Sequence, residues 1–127
     1  MDANAISKEV VDAAVKVHQT LGPGLLESVY EQVLAKELTQ RGLRVRCQEP
    51  ISITYEGEEV GEAFKADIIV NDLVILELKS VEALSKLHHK QLFTYLKLSN
   101  KSLGLLLNFG APLMKEGIVR VVNNLSE

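Results

Sequence analysis

The segment Val74-Ile75-Leu76-Glu77-Leu78-Lys79 constrains this chain more than any other. It is apolar at almost every position outside its two charges, the pattern of a strand covered on both faces of a sheet. Glu77 and Lys79 are out of place there. Burying an ion costs several kcal/mol unless a metal, a partner charge or hydrogen bonds compensate. The pair is therefore either an internal ion pair or part of a metal-dependent site.

The rest of the sequence supplies the layers that such a strand needs. Ile6, Val10, Ala14, Val17 and Leu21 recur at helical spacing, and Gly22-Pro23-Gly24 stops that helix. Leu26, Val29, Tyr30, Val33, Leu34 and Leu38 form the stripe of a second helix with Gly42 as its C-terminal cap. Ile51 to Tyr55 alternates as a strand, Glu56-Gly57-Glu58 turns, and a second strand runs from Val60 to Val70. Asn71 and Asp72 mark the turn into the strand that carries Glu77 and Lys79.

A third helix is expected over residues 81–99, with Leu84, Leu87, Gln91 and Tyr95 sharing a face. The apolar run 103–109 reads as another buried strand, and Ile118 to Val122 as a short strand at the sheet edge. The order ααβββαββ predicts an α/β sandwich, a mixed β-sheet flanked by helices. At 127 residues the chain is expected to form a single domain over residues 1–127, with a core that needs no disulfide. No run reaches membrane-spanning length, and the N-terminus lacks the pattern of a signal peptide, so a cytoplasmic location is expected. The single cysteine, Cys47, reads as a small packing residue rather than a nucleophile.

The formal net charge of -3 argues at first against a nucleic-acid partner. Its distribution argues otherwise. Between Ala83 and Lys115 there is no acidic residue, while Lys86, Lys90, Lys97, Lys101 and Lys115 contribute five positive charges. Taken alone these are solvated surface. Beside an acidic site they become a phosphate-binding face, because a nuclease needs carboxylates for its metal and cations for its substrate.

Asp67, Glu77-Leu78-Lys79 and Glu27 within Gly24-Leu25-Leu26-Glu27-Ser28-Val29-Tyr30 complete the pattern. With Gln91-Leu92-Phe93-Thr94-Tyr95 and Asn108-Phe109-Gly110, the chain resembles the PD-(D/E)XK nuclease superfamily, and within it the GxxExxY family. The motif's usual proline before the aspartate is Ala66 here. The resemblance implies a restriction-endonuclease-like fold and a divalent-metal-dependent nuclease acting on DNA, with RNA as the second candidate substrate. Asp67, Glu77, the backbone carbonyl of Leu78 and Glu27 would hold Mg²⁺ or Mn²⁺, hard cations that prefer oxygen ligands. Lys79, two residues after Glu77, projects from the same strand face and would hold the attacking water or the phosphate.

Gln91 and Tyr95 stand one helical turn apart and, by the same resemblance, border the active site. Lys86, Lys90 and Lys97 are substrate-binding candidates. The alternative is a catalytically silent module that binds nucleic acid or a protein through the same cleft, with Lys79 paired to Asp67 or Glu77. Both a homodimer and a protein partner supplying specificity are compatible with so small a chain. Tyr30 is expected to pack and fix the rotamer of Glu27. His18, His88 and His89 lack metal-ligand spacing and read as surface positions, although His88 lies within reach of the Gln91 face.

Hairpin geometry supplies the sharpest expectation. A two-residue loop Asn71-Asp72 would place Asp67 and Glu77 on opposite faces. A three-residue loop pairs Val70 with Val74 and sets Asp67 against Glu77, beside a cleft bordered by Glu27 and Gln91.

Overall fold

The computed structural model describes residues 1–125, and its element order is α1 (Ala3–Leu21), α2 (Glu27–Gln40), β1 (Val45–Tyr55), β2 (Glu58–Val70), β3 (Val74–Lys79), α3 (Lys86–Ser99), β4 (Leu103–Asn108) and β5 (Ile118–Val122). A short 3₁₀ helix, Met114–Gly117, precedes β5. The five strands lie in the order β1-β2-β3-β4-β5, and only β3 and β4 run parallel. This is the mixed sheet of a restriction-endonuclease-like α/β fold, in the expected order. β5 is at one edge, as expected, and β1 at the other.

Two apolar layers sandwich the sheet. On one face Ile6, Val10, Ala13, Ala14 and Val17 of α1 and Tyr30, Leu34 and Leu38 of α2 pack on Ile68, Val70, Val74, Leu76, Leu78, Leu103, Leu105 and Leu107. On the other, Leu92 and Leu96 of α3 pack with Phe64, Ile69, Ile75, Leu106 and Val121. Alternation sends Val74, Leu76 and Leu78 to the first face and Ile75 to the second. β3 is buried along its whole length except for half-buried Lys79, as a strand between two layers must be.

The helix ends follow local chemistry. Asp2 caps α1 by accepting the Ala5 N–H at 2.8 Å, and Gly22, at φ 76°, stops it. α2 ends in a Schellman motif: Gly42, at φ 85°, donates to the Thr39 carbonyl, and the N–H of buried Leu43 reaches the Leu38 carbonyl. Its buried stripe is narrower than the sequence suggests, since Leu26 is 73% exposed and Val29 lies at the surface.

Five sequence expectations change. β1 begins at Val45 rather than Ile51, because residues 45–47 pair with the buried end of β2. α3 begins at Lys86 rather than at residue 81. Asn108 explains this, since its Oδ1 accepts the Val81 N–H and its Nδ2 donates to the Val81 carbonyl, both at 3.0 Å, holding that segment as a loop until Ser85 caps the helix. The packed stripe of α3 is then Leu92 and Leu96, while Leu87 is exposed. His18 is buried, not on the surface, and its Nε2 lies 2.8 Å from the Ala111 carbonyl, tying α1 to the loop after β4. Cys47 is exposed, because it sits on the edge strand near Glu31 rather than beneath an apolar stripe. Its thiol is pushed up by partial burial and by the charges of Glu31 and Asp67, the reverse of what activates a nucleophile.

Candidate active site

The β2–β3 hairpin turns through Asn71 and Asp72, both left-handed at φ 51° and 57°, and Leu73 donates to the Val70 carbonyl at 3.0 Å. Pairing resumes as Val70 with Val74, Ile69 with Ile75 and Ile68 with Leu76. This is the three-residue connection, and continuing its register sets Asp67 against Glu77. The regular ladder stops one step earlier. Asp67 Oδ2 accepts the Leu78 N–H at 2.9 Å, a donor that a continuing strand would have used, and the Asp67 N–H donates to Glu77 Oε2 at 3.3 Å.

Glu77 is only 7% exposed. Burial first, then the adjacent Asp67 charge, pushes its carboxyl up to about 9, with Lys79 opposing the shift weakly. At neutral pH the pair therefore retains a proton that a hard cation could replace. That donor chemistry fits Mg²⁺ or Mn²⁺. Among the described residues no three His, Cys, Asp or Glu side chains converge closely enough to hold an ion by themselves, so backbone carbonyl, water or substrate oxygens must complete any coordination shell.

Lys79 makes no ion pair within 4.0 Å among the described residues. The internal ion pair that the strand sequence allowed is therefore not formed, and the ammonium is left at the end of β3. The backbone around it is fixed: the Lys79 carbonyl accepts from Phe109 N–H at 2.8 Å, and Gly110 lies so close to the Val81 backbone that a Cβ there would fall 2.3 Å from the Val81 oxygen. Asn108 closes the same corner by accepting the Gly110 N–H.

Glu27, the first residue of α2, accepts the Ser80 N–H through Oε2 at 3.2 Å, and Ser80 Oγ donates to the Leu25 carbonyl at 2.8 Å. Tyr30 fixes the approach to this helix rather than bonding to Glu27. Its ring stacks on Phe109 at 4.5 Å, and its hydroxyl donates to the Gly22 carbonyl and accepts from Leu25 N–H. The aromatic pair links the Gly-Leu-Leu-Glu and Asn-Phe-Gly segments, which are far apart in sequence.

A concavity of about 400 Å³ beside Asp67 is lined by Glu27, Ser28, Glu31, Gln48, Asp67 and Leu78. Glu27 borders it as expected. Gln91 is exposed on α3 and is not part of its lining. Tyr95 lies nearer the acids: its ring stacks on Phe64 at 3.8 Å, and its phenol is pushed up by burial, then by Glu77 and Asp67. Glu31 and Gln48 escaped the sequence reading. Glu31 is one turn after Glu27, so its helix face was readable, but Gln48 reaches the site only through the pairing of β1 with β2. The carboxyl of Glu31 is raised mainly by burial, with Asp67 adding to the shift and the Gln48 hydrogen bond opposing it.

Of the lysines, Lys86, Lys90 and Lys97 are exposed on α3, and Lys97 lies 5.9 Å from the Phe93 ring centre. Lys101 is used by the fold, donating to the Asp72 carbonyl at 2.8 Å. His88 is likewise structural, accepting the Ser85 N–H through Nδ1 at 3.2 Å, whereas His89 is exposed. No helix among the described residues is long and apolar enough to cross a membrane.

A mixed sheet with an acid pair where its central hairpin opens, and a lysine two residues on, defines a nuclease-like class of α/β protein. The family model described as the PD-(D/E)XK nuclease superfamily matches residues 4–121, and the chain belongs to that superfamily. Comparison with curated proteins and with solved structures gives no match.

Proposed function

We propose that this chain is a divalent-metal-dependent nuclease of the GxxExxY type that hydrolyses phosphodiester bonds in DNA. The observation that carries the reading is the contact between Asp67 and Glu77 at the opening of the β2–β3 hairpin, with Lys79 beyond it and in no ion pair among the described residues. Membership of the superfamily supports it independently.

In this reading Asp67 and Glu77 would hold Mg²⁺ or Mn²⁺ together with the Leu78 carbonyl, and Glu27, too far to join them as a third direct ligand, would contribute through water. When bound, the ion would supply stabilisation of phosphoryl charge and a water activated near neutral pH. Lys79, as an ammonium, donates hydrogen bonds and so orients the attacking water or steadies the phosphate. The Tyr95 phenol and the Gln91 amide border the substrate on the α3 side, and Lys86, Lys90 and Lys97 contact its phosphates.

One observation favours the silent-module reading. Both Asp67 oxygens already accept hydrogen bonds from the protein, Oδ2 from Leu78 N–H and Oδ1 from the Gln48 amide. Cleavage of single-stranded, duplex and branched DNA, with RNA alongside, in Mg²⁺ or Mn²⁺ separates the two. The nuclease reading expects cutting that falls by at least about 10²-fold in Asp67→Ala, Glu77→Ala and Lys79→Ala, each still folded. Binding of DNA by the wild type without cutting, in either ion, would leave the silent module.

A further inference from the structure

The β1–β2 ladder has a gap at the acid that matters most. Val45 pairs with Val70, Arg46 with Ile69 and Cys47 with Ile68, and the same register continues as Glu49 with Ala66, Pro50 with Lys65 and Ile51 with Phe64. The missing rung is Gln48 opposite Asp67. Gln48 adopts φ 51°, a left-handed conformation that glycine or asparagine takes readily and glutamine does not. An unfavourable backbone conformation persists where its surroundings enforce it, and such positions gather at functional sites.

The distortion has a visible product. The Gln48 side chain turns to the concavity, where its Nε2 donates to Glu31 Oε1 at 2.7 Å and lies 3.3 Å from Asp67 Oδ1. Asp67 is thus held from two sides, by the Leu78 N–H on Oδ2 and by the Gln48 amide on Oδ1. Each carboxylate oxygen has two lone pairs, so one on each remains for a further partner. Glu31 orients the amide by accepting one of its N–H groups.

We propose that Gln48, oriented by Glu31, is a positioning residue that aims the Asp67 carboxylate for divalent-cation binding. The inference rests on the nuclease reading given above and adds two residues that the superfamily motif does not contain. It also explains why a strained glutamine interrupts the stretch of β1, Val45 to Ile51, that otherwise keeps one register with β2. Partners of this kind, hydrogen-bonded to a metal-binding carboxylate, typically carry about 10–100-fold in affinity.

The test uses Mn²⁺ alone, titrated into the full chain with free Mn²⁺ read by electron paramagnetic resonance, alongside thermal melting in chelator. Gln48→Gly removes the amide and relieves the left-handed backbone, so its metal-free Tm should rise or hold while its Kd for Mn²⁺ weakens about 10–100-fold. Gln48→Ala should weaken binding equally without the gain in Tm. Glu31→Ala should weaken it in the same direction. A merely structural Gln48 predicts the opposite for the glycine variant, wild-type Kd in a more stable protein, and that result overturns the proposal while leaving the nuclease reading in place. A wild type that binds no Mn²⁺ would overturn both.

Discussion

Asp67 and Glu77 meet where β2 leaves β3: the Asp67 amide donates to Glu77 Oε2 at 3.3 Å, and the Asp67 carboxylate takes the next free N–H of β3, that of Leu78, at 2.9 Å. Each acid is therefore held by a hydrogen bond that its carboxylate accepts from a backbone N–H of the facing strand. Their separation is set by strand register rather than by flexible side chains, a property that suits a site requiring fixed charge geometry.

The raised carboxyl of Glu77 gives a pH dependence of definite sign. In the unfolded chain it loses its proton above its ordinary value of 4.5, whereas in the fold it keeps the proton until about 9. Between these values the folded state binds more protons, so this group's contribution is full below pH 4.5 and is lost as pH rises towards 9. The slope approaches at most about 1.4 kcal/mol per pH unit. Urea unfolding in chelator at several pH values should show stability falling through neutral pH, and Glu77→Gln, which stays neutral, should flatten the curve. An unchanged slope in that variant would mean that Glu77 does not hold the proton.

Lys86, Lys90 and Lys97 are expected to contact phosphates without regard to sequence. Replacing each by glutamine should weaken duplex binding uniformly and reduce the salt slope by up to about 0.9 per lost contact. Lys101→Gln should instead act on stability, because its ammonium holds the Asp72 carbonyl. Binding titrations at several salt concentrations distinguish the two classes, and an identical slope in the triple variant would leave the three as solvated surface.

Gly110 and Gly24 should respond differently to alanine. At Gly110 the new Cβ would fall 2.3 Å from the Val81 oxygen, so the loop after Lys79 must move, and both Tm and catalysis should fall sharply. At Gly24, φ is 99° but nothing lies within 4 Å, so the cost is conformational and about 1 kcal/mol. Paired thermal melts of the two variants check this, and equal losses would contradict it.

Tyr30→Phe keeps the stack on Phe109 and deletes the hydroxyl that bridges Gly22 and Leu25. A loss of about 1 kcal/mol or somewhat more is expected in urea unfolding. Cleavage should fall with it, because that bridge fixes the segment leading into Glu27. Full activity in a destabilised Tyr30→Phe would show that the position of Glu27 does not depend on the bridge.

The element order, the buried strand and the acid-lysine spacing were determined by the sequence, because apolar periodicity and turn chemistry are local properties. Asn71 and Asp72 accept left-handed conformations, so even the hairpin's position was legible, and the odd-length connection followed once Asp67 and Glu77 had to share a site. What the periodicity of α3 did not carry was its starting point, since Asn108, 27 residues from Val81, holds the preceding segment as a loop. Cys47 and His18 were misplaced for a related reason: exposure depends on what other elements cover, and neither the edge position of β1 nor the loop over α1 is written in neighbouring residues. Only the tertiary structure brought Gln48 and Glu31 to Asp67, through hydrogen bonds spanning 17 and 19 residues, because side-chain convergence depends on strand register and helix placement together.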